Sequence, residues 1–407
     1  VTRPALIAKY GGRKRRLPPP EYLLWEITLR CNLRCLHCAA GAGRARRGEL
    51  STAEALDLCD RIADLGVPSV ALMGGEPLLR KDWRVIARRL RDRGIEVGLI
   101  TNGLLFDEKA ARDVLDLGIC QVGVSLDGAA AGAHERIRGR PGSFERALRA
   151  VETVGALDIP YPTVLTSVNA LNIGELPAML RLLLSRPARW LWIVNFSSPH
   201  RTRGDDGGWA LDEKGVLHLA RFIHENRRRH AGRITIAGTH GLGYFSKRYT
   251  DLHETPWEGC LAGRKALGIR SDGRVVGCLI LPDPFVEGSV RERPLEAIWN
   301  DGKAFAYARR PDRRKLRGKC RGCPHGALCA AGCTNVAWSF SGSIHEAPFC
   351  LFDIERRGGR ASPATPKGGR DFSPATMLLP EKKRARGVKT PPTRPAGGVL
   401  DRRGRGT

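Results

Sequence analysis

Acidic residues are scarce in this chain of 407: 42 Asp and Glu stand against 68 Lys and Arg, a formal net charge of +26. Long apolar runs are missing too, and none approaches the ~18 residues of a membrane-spanning helix. No basic segment, short apolar run and small-residue cleavage site precede the first cysteine, so neither a membrane partner nor secretion is expected. The expected compartment is the reducing cytoplasm. Neither an RNA-binding aromatic signature nor a helix-turn-helix pattern accompanies the positive charge, so nucleic acid is not expected as a partner. The shortage of acid is concentrated at the ends. Residues 1–20 carry six Lys and Arg and no acid, and residues 357–407 carry thirteen against three, with 16 Gly or Pro. Both read as disordered basic tails, because they cannot bury enough apolar surface to order themselves. The remaining chain keeps only about +10 and is long enough for one large domain and a smaller one without covalent staples.

Cysteine, by contrast, is plentiful. Twelve residues lie at 31, 35, 38, 59, 120, 260, 278, 320, 323, 329, 333 and 350, mostly in two groups. In a reducing compartment, grouped thiols bind metal more often than they pair. The first group, "CNLRCLHC", sets three thiols within eight residues. A structural zinc site wants four ligands, so a three-thiol site leaves room for something else.

Short apolar segments alternate with helical patterns from residue 22 onward. "YLLWEITLR", "SVALMGGEPLL", "EVGLITNG", "QVGVSLDG", "YPTVLTSVNALN" and "WLWIVNFSSP" each read as a strand ending in small and polar residues. "LSTAEALDLCDRIADLG" reads as a helix with a Ser51/Glu54 capping box and a Gly66 stop. Six successive βα units imply a parallel sheet, whose active site belongs at the C-terminal ends of the strands. Every unusual short motif falls at such an end. Past residue 250 the rhythm gives way to Gly, Pro and Cys, with a hairpin expected at "ALGIRSDGRVVGCLI" around Asp272-Gly273. Cys59 and Cys120 read as small core residues, and Trp190 and Trp192 as packing.

Cys31-x3-Cys35-x2-Cys38 after the first strand, followed by "MGGEP" after the second, resembles the signature of the radical S-adenosylmethionine (SAM) superfamily. The resemblance implies a [4Fe–4S] cluster on Cys31, Cys35 and Cys38, whose open iron chelates SAM. An electron then cleaves the sulfonium, and a 5′-deoxyadenosyl radical abstracts hydrogen from substrate. It also implies that Gly74 and Gly75 allow close approach of SAM and that Glu76 accepts from its ammonium. Ser125 in "SLDG" is the candidate contact to the ribose or methionine carboxylate. Arg138 is the candidate carboxylate-binding arginine, with Arg136 as the alternative register. His37 is expected to pack beside the cluster.

The pattern Cys260-x12-Gly273-x4-Cys278, Cys320-x2-Cys323-x5-Cys329-x3-Cys333, Cys350 resembles the seven-cysteine SPASM domain. That resemblance implies two auxiliary [4Fe–4S] clusters, the first on Cys260, Cys278 and Cys333, the second on Cys320, Cys323, Cys329 and Cys350. The first lacks a fourth thiol; Glu254, water or substrate are the alternatives. Zinc is the competing metal, because Cys-x2-Cys pairs are zinc-like, but three leftover thiols suit a cubane better. The expected fold is α/β: a partial (βα)6 TIM-like barrel over 21–235, a bridging segment over 236–257, and a small Cys-rich SPASM domain over 258–356, between tails 1–20 and 357–407.

For function, the resemblance implies an oxidoreductase-type maturase acting on a ribosomally made peptide or protein side chain. It also implies an external electron donor of flavodoxin or ferredoxin type. With about thirty residues before Cys31, a leader-peptide-binding partner is expected to be separate. The alternatives are tetrapyrrole side-chain modification, sulfatase activation and, outside enzymes, an iron–sulfur nucleic-acid-binding protein. No substrate-facing acid or base is assigned. His200, Asp205, Asp206, His240 and Tyr244 read as surface or packing residues.

Overall fold

The computed structural model describes residues 17–196, 208–239, 242, 244–252 and 257–358. Most of both basic ends lies outside them, as do His200, Asp205, Asp206, His240 and Glu254. Strand β1 (Tyr22–Thr28) is buried at all but one position, which is what a strand inside a parallel sheet requires. Helix α1 (Thr52–Asp64) begins with the expected capping box. The Glu54 N–H donates to Ser51 Oγ at 3.3 Å, and the Ser51 N–H donates to the Glu54 carboxylate at 2.8 Å. Strand β2 (Ser69–Gly74), helix α2 (Trp83–Asp92), strand β3 (Glu96–Thr101), helix α3 (Glu108–Asp116) and strand β4 (Gln121–Ser125) continue the alternation. After β4 come two helices, α4 (Ala131–Arg138) and α5 (Ser143–Ala156), then β5 (Tyr161–Val168), α6 (Leu176–Leu184), β6 (Trp190–Phe196) and α7 (Glu213–Arg229).

Two features go beyond the expected six units. A seventh parallel strand, β7 (Ile234–Gly238), pairs with β6. The boundary drawn at 235 therefore cuts a strand, and the bridging segment begins inside the sheet. More consequentially, the Cys-rich region does not stand apart. Its hairpin, β8 (Ala266–Ile269) and β9 (Arg274–Val276), pairs antiparallel around the expected turn, where Gly273 takes φ +87°. β8 in turn pairs parallel with β1, Tyr22 opposite Ala266. With β10 (Val286–Ser289), ten strands form one sheet in the order β10-β9-β8-β1-β2-β3-β4-β5-β6-β7.

Polar contacts reinforce the junction. Buried Glu26 on β1 pairs with Arg46, Nε to Oε1 2.7 Å, and accepts from the Ser271 N–H and hydroxyl at 3.1 and 2.9 Å. Arg291 reaches back to Glu54 at 2.7 Å and holds that carboxyl down at about 2. The end of the stretch read as N-terminal tail is also held. The Leu17 N–H donates to Asn300 Oδ1 at 2.8 Å, and Trp299 Nε1 donates to the Pro18 carbonyl at 2.9 Å.

The main core lies between the sheet and its helices and takes in Cys59, Trp190 and Trp192. Trp192 donates to Thr166 Oγ1 at 2.8 Å and meets Phe222 of α7 edge-on, so both tryptophans pack. Because β1 to β6 run parallel, the loops bearing the cysteines, "GGEP", "TNG" and "SLDG" share one rim. Among the described residues, no helix is long and apolar enough to cross a membrane.

Candidate active site and auxiliary thiol sets

Cys31, Cys35 and Cys38 line one cavity of about 150 Å³. Gly74 and Gly75, Thr101 and Asn102, Ser125 at the end of β4, and Arg138 at the end of α4 line it too. A donor faces each sulfur. The Ala42 N–H donates to Cys38 Sγ at 3.2 Å, Asn102 Nδ2 lies 3.9 Å from Cys31 Sγ, and the Arg138 guanidinium lies 3.8 Å from Cys35 Sγ. Burial pushes the Cys31 thiol up to about 11. A bound metal reverses that preference, and donors aimed at sulfur favour the thiolates it needs. Three free thiols on one wall with a donor at each fit a three-ligand cluster. Among the described residues, no three His, Cys, Asp or Glu side chains lie close enough to hold a single metal ion.

The glycines of "GGEP" are required by their neighbours. A Cβ on Gly74, at φ +149°, would lie 2.1 Å from the Thr28 carbonyl oxygen, and one on Gly75 would lie 2.3 Å from that of Arg30. The loop after β2 runs flush against the end of β1, which leaves the adjoining cavity open. Gly75→Ala forces the two loops apart. We expect a loss of ~1–3 kcal/mol, as for overpacking, and at least a tenfold weaker SAM affinity, read by thermal unfolding and equilibrium titration.

Glu76 is fully buried and does not line the cavity. Its carboxylate accepts from Thr101 Oγ1 at 2.8 Å and from the N–H groups of Asn102 and Leu78 at 2.8 and 3.2 Å. Burial outweighs these donors and raises it to about 7. In this structure it clamps the β2 loop to the β3 loop and thereby orients two cavity residues.

Arg138 is the arginine of the site, and Arg136 is exposed. Its Nε lies 2.7 Å from Oδ2 of the fully buried Asp127. Burial works against the Asp127 charge, but the Arg138 guanidinium outweighs it and holds the carboxyl below its usual range. Asp127 Oδ1 accepts from the Ser167 N–H at 2.8 Å, and the Asp127 N–H donates to His134 Nδ1 at 3.2 Å. His37 stands within the cavity wall, its Nε2 3.7 Å from Asp127. Thr101 and Asn102 belong to "TNG", which with "SLDG" matches the loops where the resemblance implies contacts to SAM, whereas sequence gives Asp127 no role of its own. Asp127 sits in the quoted "SLDG", and a lone acid at the end of a buried strand is the signal that would have found it.

Cys320, Cys323, Cys329 and Cys350 line a second cavity, of about 90 Å³. The Ala347 N–H donates to Cys320 Sγ at 3.4 Å. Cys260, Cys278 and Cys333 form a separate set. Burial first, and then the charges of Cys260 and Cys278, push Cys333 up to about 12. Tyr244 is buried between the two sets: it lines the cavity of the four, and its hydroxyl accepts from the Cys333 N–H at 2.8 Å. The division into four and three thus has a spatial counterpart.

Comparison with known proteins agrees with this geometry. The radical SAM superfamily model matches residues 25–183, and the SPASM iron–sulfur cluster-binding domain matches residues 260–324. The chain is 33% identical over 350 residues to an AdoMet-dependent heme synthase of Methanosarcina barkeri, spanning 82% of this chain and 97% of that one. It is 29% identical to a PqqA peptide cyclase of Rhizobium meliloti, over 85% and 91% of the two chains. Streptococcus suis SuiB bound to S-adenosylmethionine has the same fold, with a TM-score of 0.65 at 17% identity, over 84% of this chain and 78% of that one. The thiol sets, the glycine-lined cavity and these matches lead to one assignment: this chain is a radical SAM superfamily enzyme with a SPASM domain, and its cofactors are SAM, a [4Fe–4S] cluster and auxiliary iron–sulfur clusters.

Proposed function

We propose that this enzyme cleaves SAM reductively and directs the resulting radical at a side chain of a ribosomally made peptide or protein, oxidising or crosslinking it. The observation that carries the chemistry is the convergence of Cys31, Cys35 and Cys38 with Gly74, Gly75, Ser125 and Arg138 on one cavity. When bound, the cluster and SAM supply one-electron cleavage of the sulfonium and a carbon-centred radical that takes hydrogen. The chain supplies position. Cys31, Cys35 and Cys38 hold the cluster, Gly74 and Gly75 give the methionine room, and Ser125 and Arg138 bind its polar groups. Asp127 fixes Arg138, and Glu76 acts on SAM through the loops it clamps. Cys260, Cys278 and Cys333 hold the first auxiliary cluster, and Cys320, Cys323, Cys329 and Cys350 the second. An external one-electron donor of flavodoxin or ferredoxin type, a separate leader-binding protein and a cytoplasmic location belong to the same proposal.

The likeness to the PqqA peptide cyclase supports the peptide reading. A second reading, modification of a tetrapyrrole side chain, has support of its own in the 33% identity to a heme synthase across nearly its whole length. The two separate in one experiment. Reduced enzyme and SAM are incubated anaerobically with short peptides encoded beside the gene, or with a propionate-bearing iron porphyrin. Under the peptide reading, 5′-deoxyadenosine rises with peptide and the peptide loses mass in steps of hydrogen. A response to the porphyrin alone establishes the second reading, and no SAM cleavage under any condition overturns both.

A further inference from the structure

The set Cys260, Cys278, Cys333 supplies three ligands to a cubane with four irons, so one iron needs a ligand from elsewhere. We propose that Tyr307 is that ligand, through its phenolate oxygen. The inference rests on the assignment of an iron–sulfur cluster to these three thiols.

Three observations meet at this ring. First, the Tyr307 hydroxyl is buried and no described group accepts its proton, although the Gly277 amide, next to Cys278, lies against the oxygen. A buried hydroxyl without an acceptor is costly and calls for a partner that the protein alone does not provide. Second, the position is the right one. Tyr307, Cys260 and Cys278 pack on the same apolar group of Ala262, Leu281 and Phe285, and Tyr307 and Cys260 line one cavity of about 160 Å³. Third, the ring is held. Phe285 meets it edge-on at 5.1 Å, and a Cβ on Gly277 would lie 2.3 Å from the hydroxyl, so only glycine there leaves the oxygen its place.

Among the other polar side chains of that cavity, Glu258 is ion-paired with Lys265, Arg264 and Arg309 carry no lone pair to offer, and the Thr334 hydroxyl, an aliphatic alcohol, gives up its proton far less readily than a phenol. Phenolate is an established iron ligand. On ligation the Oη–Fe bond forms, the phenol proton leaves to solvent, and no electron is transferred. The consequence is a closed first auxiliary cluster, suited to passing electrons rather than binding substrate.

The test uses protein carrying Cys31→Ala, Cys35→Ala and Cys38→Ala, so that only auxiliary clusters remain. We expect cyanide to leave the electron paramagnetic resonance (EPR) spectrum of the reduced clusters unchanged. With Tyr307→Phe added, cyanide should shift one cluster's signal while iron content stays at about eight. Tyr307→Cys should restore cyanide resistance with an altered signal, which separates ligation from packing. Gly277→Ala, which displaces the ring, should behave like Tyr307→Phe. The proposal is overturned if cyanide binds without the Tyr307 change, or if Glu254→Gln opens the site and Tyr307→Phe does not. An iron content near four would instead mean that the first auxiliary cluster itself is absent, which removes the assignment beneath the proposal.

Discussion

Replacing Cys31, Cys35 and Cys38 together by Ala will leave the reconstituted protein with about eight irons in place of about twelve, and with no detectable 5′-deoxyadenosine formation. The three thiols stand together on the wall of the glycine-lined cavity, where the proposed function puts the cluster that cleaves SAM. The other two sets lie in the Cys-rich region and share no ligand with them. Iron analysis and product chromatography read the two halves of the expectation independently. An iron content that stays at about twelve, or any residual 5′-deoxyadenosine above a no-SAM control, places the chemistry elsewhere.

The second large effect belongs to Asp127. Removing one member of a buried ion pair strands the other charge, at a cost of ~3–5 kcal/mol. The Asp127 side chain is fully buried and that of Arg138 is 9% exposed, so Asp127→Ala should lower stability by that order and abolish SAM binding. The double variant Asp127→Ala/Arg138→Met removes both charges and should recover most of the stability, but none of the SAM affinity. Denaturant midpoints and SAM titration measure the two. If the single variant is as stable as wild type, the pair does not fix the site. If the double variant binds SAM, Arg138 has no part in holding it.

How much of this could be read in advance depended on what kind of contact carried it. Cysteines and glycines announce themselves, since few other residues serve as soft metal ligands or allow loops to press together. Spacing therefore located Gly74, Gly75 and the ten ligand candidates, and the structure brings Ser125 and Arg138 to the same cavity. The strands of β1 to β6 were legible for a similar reason, as short apolar runs broken by small residues. β7 was not, because "ITIAG" is five residues with no flanking motif. Non-local pairing left no trace: nothing in "ALGI" says that it lies beside "YLLW". The position of Glu76 was opaque as well, because a motif names a residue but not the direction its carboxylate faces. Asp127 differs from dozens of other acids only by its burial, which depends on everything around it.

The pairing of β8 with β1 also constrains the order of events during synthesis. Glu26 and its partner Ser271 are 245 residues apart. At ~5–20 residues per second, the first strand leaves the ribosome roughly 10–50 s before the strand that covers its edge. During that interval β1 is an unpaired edge of a parallel sheet, a template for wrong partners. The loop bearing Cys31, Cys35 and Cys38 hangs from its end. In the cell, a chaperone or scaffold that shields this edge would serve the nascent barrel before any iron arrives, and slowing translation ahead of residue 266 would lower the yield of active enzyme.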